Sequence, residues 1–104
     1  QARALMLLGD RVNAEESLRL GLFNEVVEDE ALPAAAMALA VRLAAGPSAA
    51  YAAIKKNLDD AVSIDHHTAI NREAERLAEC RQTDDYREAI KAFAEKRAPN
   101  FRGR

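Results

Sequence analysis

The 104-residue chain has no tryptophan, a single cysteine (Cys80), three prolines and four glycines. A lone cysteine excludes an internal disulfide framework and any zinc site built from several thiolates. It fits a reducing, cytoplasmic setting, which is the expected location. Glycines this few and this widely spaced leave no glycine-rich phosphate loop. No apolar run approaches the roughly 20 residues that span a bilayer, and the opening stretch lacks the apolar core of a secretory signal. Neither sign of charge dominates. With 15 Lys and Arg against 17 Asp and Glu, a net charge of −2 and a pI near 5.7, there is no basic footprint for nucleic acid. Neither nucleic acid nor a membrane is an expected partner.

What the chain does have is helix. Hydrophobic residues make up 49% of it, but many are alanine and only 5% are aromatic. Alanine favours helix strongly and buries little apolar area. A core built from it is thin, so the helices are expected to lean on something outside the segment. Charged residues of both signs, 31% of the chain, are interspersed as on a solvated helical surface. The chain opens on Gln1 rather than Met with helical pattern starting almost at once, which suggests a cut from a longer chain.

The length suits one small domain. Ala2 to Leu8 reads as a short apolar helix stopped by Gly9. Asn13, three residues before Glu16, fits a capping-box variant that starts a helix through Leu20, with Gly21 closing it. Leu22 to Val27 looks extended or strand-like. Asp29 or Glu30 begins a longer helix with Pro33 in its first turn, and Leu32, Ala36, Leu39, Ala40 and Leu43 mark its apolar face. Gly46-Pro47 breaks it. Ser48 is expected to cap a helix striped by Tyr51, Ile54, Leu58 and Val62, and Ser63 one striped by Ile70, Leu77 and Cys80. Thr83 caps the last helix, with Asp84 and Asp85 in its first turn, where negative charge suits the dipole. Its stripe is Tyr86, Ile90, Phe93 and Arg97; Pro99 ends it, leaving a tail from Asn100 to Arg104. The fold class is all-α.

Most constellations fail as chemistry. His66 and His67 are adjacent, point about 100° apart on a helix and have no third ligand at metal spacing, so no metal is expected. Ser17, Ser48 and Ser63 lie in no nucleophile elbow. Cys80 reads as a small buried thiol. Glu73 and Glu75 diverge on a helix and make a poor acid/base pair. No catalytic residue is expected. Phe93 and Lys96, three apart on the last helix, are more suggestive, because an aromatic plane beside a flexible cation can stack a nucleobase and meet a phosphate. On the residues alone the plainer reading prevails: Phe93 core, Lys96 solvated.

Leu8-Gly9-Asp10-Arg11-Val12-Asn13-Ala14-Glu15-Glu16 followed by Gly21-Leu22-Phe23-Asn24-Glu25-Val26-Val27 resembles a pattern of the enoyl-CoA hydratase/isomerase (crotonase) family. Ser17 stands where that family usually has alanine. Ile54-Lys55 matches its lysine after the Pro-led helix. Thr83-Asp84-Asp85-Tyr86-Arg87-Glu88-Ala89 and Ala92-Phe93-Ala94-Glu95-Lys96-Arg97-Ala98-Pro99-Asn100-Phe101 look like its closing signature, with Ala89 replacing a common glycine. The match runs nearly end to end and in order.

The resemblance implies a parent fold made of a spiral α/β core of ββα units, absent here, followed by a helical region that builds trimers, often stacked as hexamers. Residues 1–28 would then be the end of the core and residues 29–104 the C-terminal helical oligomerisation region. The core would bind an acyl-CoA thioester and hold its carbonyl with two backbone N–H groups. Glutamates of the core would add water in a hydratase; none of Glu15, Glu16, Glu73, Glu75 or Glu95 matches them. Roughly 150 residues are expected to precede Gln1, as such a domain size suggests. Phe93 and Lys96 match residues that approach the adenine and phosphate end of coenzyme A from a neighbouring subunit, so the resemblance favours a ligand role for them. The implied function is an enoyl-CoA hydratase with the coenzyme A thioester as substrate and no further cofactor. The alternatives are an isomerase of the phenylacetate-pathway type, which the Asp84-to-Phe101 stretch also resembles, and a free-standing helical oligomerisation module.

Overall fold

The computed structural model describes all residues from Gln1 to Arg104 and contains helices and loops only. In chain order these are α1 (Ala2–Leu8), α2 (Ala14–Arg19), a 3₁₀ turn (Asp29–Ala31), α3 (Leu32–Ala44), α4 (Ser48–Ser63), α5 (His66–Cys80) and α6 (Asp84–Ala94). The all-α expectation holds. Of the two alternatives for Leu22 to Val27, extended or strand-like, the strand does not form: these residues run without a ladder partner, because β-propensity specifies a strand only where a neighbour pairs with it.

The chain forms two compact units, Gln1–Ala38 and Leu39–Arg104. In the first, Gly9 ends α1 in the left-handed conformation, and the Asn13 side chain accepts the Glu16 N–H at 2.8 Å to start α2. Ser17 is buried, and its carbonyl accepts the Leu22 N–H at 2.9 Å, turning the chain after α2. A small residue suits that position.

In the second unit α4 and α5 pack on one another. Asp60 of α4 meets Arg76 at 2.6 Å and Arg72 at 3.0 Å, while Arg76 also donates to the Asn57 side chain at 2.7 Å. The Arg76 guanidinium, joined by Arg72, holds the Asp60 carboxyl below its usual range. Two expected caps are corrected here. Ser48 lies inside the first turn of α4 and caps nothing with its side chain; Pro47 stands at the N-cap position. Ser63 lies in the last turn of α4 and its hydroxyl donates back to the Asp59 carbonyl at 2.6 Å, the local bond that serine favours inside a helix. Asp65 caps α5 instead, accepting the Thr68 N–H at 3.0 Å.

Burial is sparse. The only buried apolar residue is Ala92, so the thin core expected from the alanine content is what forms. Large apolar side chains stand open on α1 (Met6, Leu7), α3 (Met37, Val41), α4 (Leu58, Val62) and α6 (Ile90, Phe93). Unpartnered faces of this extent are what interaction surfaces look like.

Candidate functional site at the end of the last helix

Thr83 starts α6 as the sequence indicates. Its Oγ1 accepts the Tyr86 N–H at 3.1 Å and donates to the Cys80 carbonyl at 2.7 Å, joining the end of α5 to the start of α6. Asp85, read from sequence as a favourable first-turn charge, does more. It is 3% exposed, and its carboxylate accepts the N–H groups of Arg102 at 2.7 Å and Gly103 at 2.8 Å. The Asp85 N–H donates in turn to the Arg104 carbonyl at 3.0 Å. The tail therefore folds back along α6. Phe101 seats half-buried over an apolar recess formed with Pro47, Ala50, Tyr86 and Ala89. Gly103 adopts φ +75, so any other residue would be strained there, and a Cβ, 2.6 Å from the Ser48 hydroxyl oxygen, would also turn that hydroxyl aside.

The end of α6 departs from the expected stripe. The helix stops at Ala94. The Lys96 N–H donates to the Phe93 carbonyl at 3.2 Å and the Arg97 N–H to the Ala92 carbonyl at 3.0 Å, the paired bonds of a Schellman cap. The residue in the left-handed position of that cap is Lys96, at φ 54, the only non-glycine with positive φ in the chain. Glycine normally takes that place, since an L side chain there costs ~1–2 kcal/mol. Phe93 and Lys96 thus do not share a helical face as their spacing suggested. They lie on either side of the helix end, joined through the backbone. Phe93 is 87% exposed, which rules out the core role its stripe position implied within this chain. Lys96 is also exposed.

Arg97, expected on the apolar stripe, lies beyond the helix and folds back. Its Nη1 and Nη2 reach the two Glu88 carboxylate oxygens at 2.6 and 3.0 Å, and its Nε reaches Glu95 at 2.6 Å. The Asn100 N–H adds a further bond to Glu88 at 2.9 Å. Arg97, then the Asn100 N–H, hold the Glu88 carboxyl down to about 2, and Glu88 and Glu95 push the Arg97 guanidinium up. Glu88, Arg97 and Asn100 surround an open depression of ≈ 440 Å³ with Asp84, Asp85, Arg102 and Arg104. Sequence reasoning missed the clasp because nine residues separate Glu88 from Arg97, which fits no helical neighbour spacing.

Of the other candidates, Cys80 touches this region, lining the recess under Phe101. His66, His67, Glu73 and Glu75 are exposed on α5, and Cys80 is half-buried at its end. The arrangement at the end of α6 suits binding: an open aromatic face and an exposed cation, carried by a turn that two backbone hydrogen bonds close.

Comparison with known proteins agrees with the resemblance. The profile of the Enoyl-CoA hydratase/isomerase family matches residues 1–104. A Rhodobacter capsulatus protein named "Probable enoyl-CoA hydratase" is 39% identical over all of this chain and 40% of its own length. The 1,2-epoxyphenylacetyl-CoA isomerase of Escherichia coli is 36% identical, again over all of this chain and 40% of its own. The crystal structure of an enoyl-CoA hydratase from Mycobacterium tuberculosis superposes with a TM-score of 0.88 at 31% identity, covering 99% of this chain and 41% of that one. The chain thus spans about two-fifths of the length of these relatives.

Proposed function

Because the chain belongs to the enoyl-CoA hydratase/isomerase family, we propose that it forms the C-terminal helical region of an acyl-CoA enzyme that hydrates a 2-enoyl-CoA double bond. In this reading the catalytic glutamates and the donors to the thioester carbonyl lie in a core outside this chain. The coenzyme A thioester is the substrate and no further cofactor takes part. The enzyme is a cytoplasmic homo-oligomer, trimer or hexamer. The chain contributes two things to it. Its open apolar faces on α1, α3 and α4 dock on the core and on other subunits. Phe93 and Lys96 receive the nucleotide end of coenzyme A from a neighbouring subunit, the ring stacking on adenine and the ammonium meeting phosphate.

The observation that carries this reading is Phe93. A phenyl ring left 87% exposed, three residues before an exposed lysine, contributes little to the stability of its own unit and is open to a planar ligand. Base–aromatic stacking is worth ~1–3 kcal/mol, so in the full-length enzyme Phe93→Ala should raise KM for the enoyl-CoA roughly tenfold. The turnover number should stay within about twofold, because binding of a remote handle is lost rather than stabilisation confined to the transition state. An unchanged KM would sink the assignment.

The 36% identity to the 1,2-epoxyphenylacetyl-CoA isomerase favours isomerisation as the second reading. Assays of the full-length enzyme with a 2-enoyl-CoA and with a ring epoxide of an aryl-CoA separate the two.

A further inference from the structure

The conformation of Lys96 requires an explanation that the binding reading does not supply. It occupies the left-handed position of the α6 cap, where a side chain is disfavoured. It is flanked in sequence by Glu95, whose carboxylate is the nearest along the chain and could neutralise it. Yet Lys96 takes part in none of the ion pairs of the chain. Glu95 instead bonds the Arg97 Nε at 2.6 Å, and Arg97 is tied at its other end to both oxygens of Glu88.

We propose that Arg97 is a positioning residue for Lys96: by engaging Glu95 and anchoring to Glu88 it holds the helix-end turn and keeps the Lys96 ammonium unpaired at the end of the helix that carries Phe93. The proposal rests on the reading of Phe93 and Lys96 as the nucleotide subsite. The physical need is plain. The C-terminus of a helix carries partial negative charge, which opposes a phosphate approaching the end of α6. A free cation must outweigh it, and a lysine paired with its neighbour would not. Arg97 suits the task as lysine would not, because its planar fork addresses two carboxylates at once with fixed geometry. Glu88 stays anchored from a second direction by the Asn100 N–H at 2.9 Å. When Arg97 is removed, the carboxylate released next to Lys96 is therefore that of Glu95.

The test is coenzyme A binding to the full-length enzyme by calorimetry, with pantetheine as the probe lacking the nucleotide. Lys96→Ala should weaken coenzyme A on the order of tenfold, as loss of one charge-assisted phosphate contact does. Arg97→Gln should weaken it about threefold, the scale of a surface ion pair formed at the wrong place. Adding Glu95→Gln to Arg97→Gln should restore affinity to within about 1.5-fold of the parent, a rescue that a purely structural role for Arg97 does not give. Pantetheine binding should be the same in every variant. Should Arg97→Gln fail to fold, Arg97→Lys keeps a cation but cannot bridge both carboxylates, and it too should weaken coenzyme A. Weakening by Lys96→Ala without weakening by either Arg97 variant, or without rescue by Glu95→Gln, overturns the positioning role and leaves the subsite standing. No effect of Lys96→Ala and Phe93→Ala on coenzyme A overturns the subsite itself.

Discussion

Replacing Asp85 by alanine should free the tail. Its buried carboxylate accepts the N–H groups of Arg102 and Gly103 at 2.7 and 2.8 Å. A hydrogen bond to a charged group contributes ~1.5–3 kcal/mol. The two donors share one carboxylate and regain water when the tail lifts, so the expected loss is ~3 kcal/mol rather than the full sum. Since ~1.4 kcal/mol is tenfold in an equilibrium constant, the population of the lifted tail should grow on the order of a hundredfold. Amide hydrogen exchange at Arg102 and Gly103 reads this directly, because local opening governs exchange in such segments. Both amides should exchange about a hundred times faster in Asp85→Ala, and trypsin should cut after Arg102 sooner. Asp85→Asn retains one acceptor oxygen and should fall between, near tenfold by the same scale. Exchange at both amides within about threefold of the parent in Asp85→Ala would refute the view that this carboxylate holds the tail.

Three further outcomes follow from the structure. Lys96→Gly should stabilise the chain by about 0.5–1 kcal/mol in a thermal melt, because relief of the left-handed strain exceeds the added freedom of glycine when unfolded; the same variant should weaken coenzyme A binding by the full-length enzyme, and a fall in melting temperature would count against the strain. Glu88 has its carboxyl held at about 2 against an ordinary 4.5. A depressed carboxylate stabilises the folded state above the unfolded value and less as pH falls from about 4.5 towards 2, so Glu88→Gln should flatten the acid limb of melting temperature against pH, and an unaltered limb would contradict the clasp. Thr83→Ala should cost about 1 kcal/mol as loss of a working cap, whereas Ser48→Ala should shift stability by less than about 0.5 kcal/mol; equal losses in chemical denaturation would contradict the cap assignments.

Features set by neighbours in sequence were legible and those set across the fold were not. Asn13 and Thr83 could be read as caps because each stands directly before a periodic run and bonds the N–H three residues on. Ser63 misled because Asp65, two residues later, offers the better acceptor, while the Ser63 hydroxyl returns to Asp59. Val26 and Val27 suggested a strand by residue type, but nothing within residues 1–104 pairs with them. Phe93 and Lys96 stood out by chemical character. Their geometry did not, since nothing local marks a lysine as the residue that leaves the helix left-handed. Asp85 gave no hint of its role either, because its partners lie 17 and 18 residues away, beyond any spacing that a helix repeats.

The way the tail is fastened has a consequence for how this terminus tolerates change. Positions 102, 103 and 104 are gripped chiefly by their main-chain groups; the one side-chain tie is a long, exposed ion pair from Arg104 Nε to Asp84 at 3.8 Å, which contributes little. Arg102 and Arg104 can therefore be exchanged for most residues without losing alignment, proline at 102 excepted because it carries no N–H. Tolerance should be narrow at two places only: Phe101, which walls an apolar recess, and Gly103, whose φ of +75 disfavours any side chain. Alternating permissive and intolerant positions, read out by saturation mutagenesis, would be the signature of a main-chain latch.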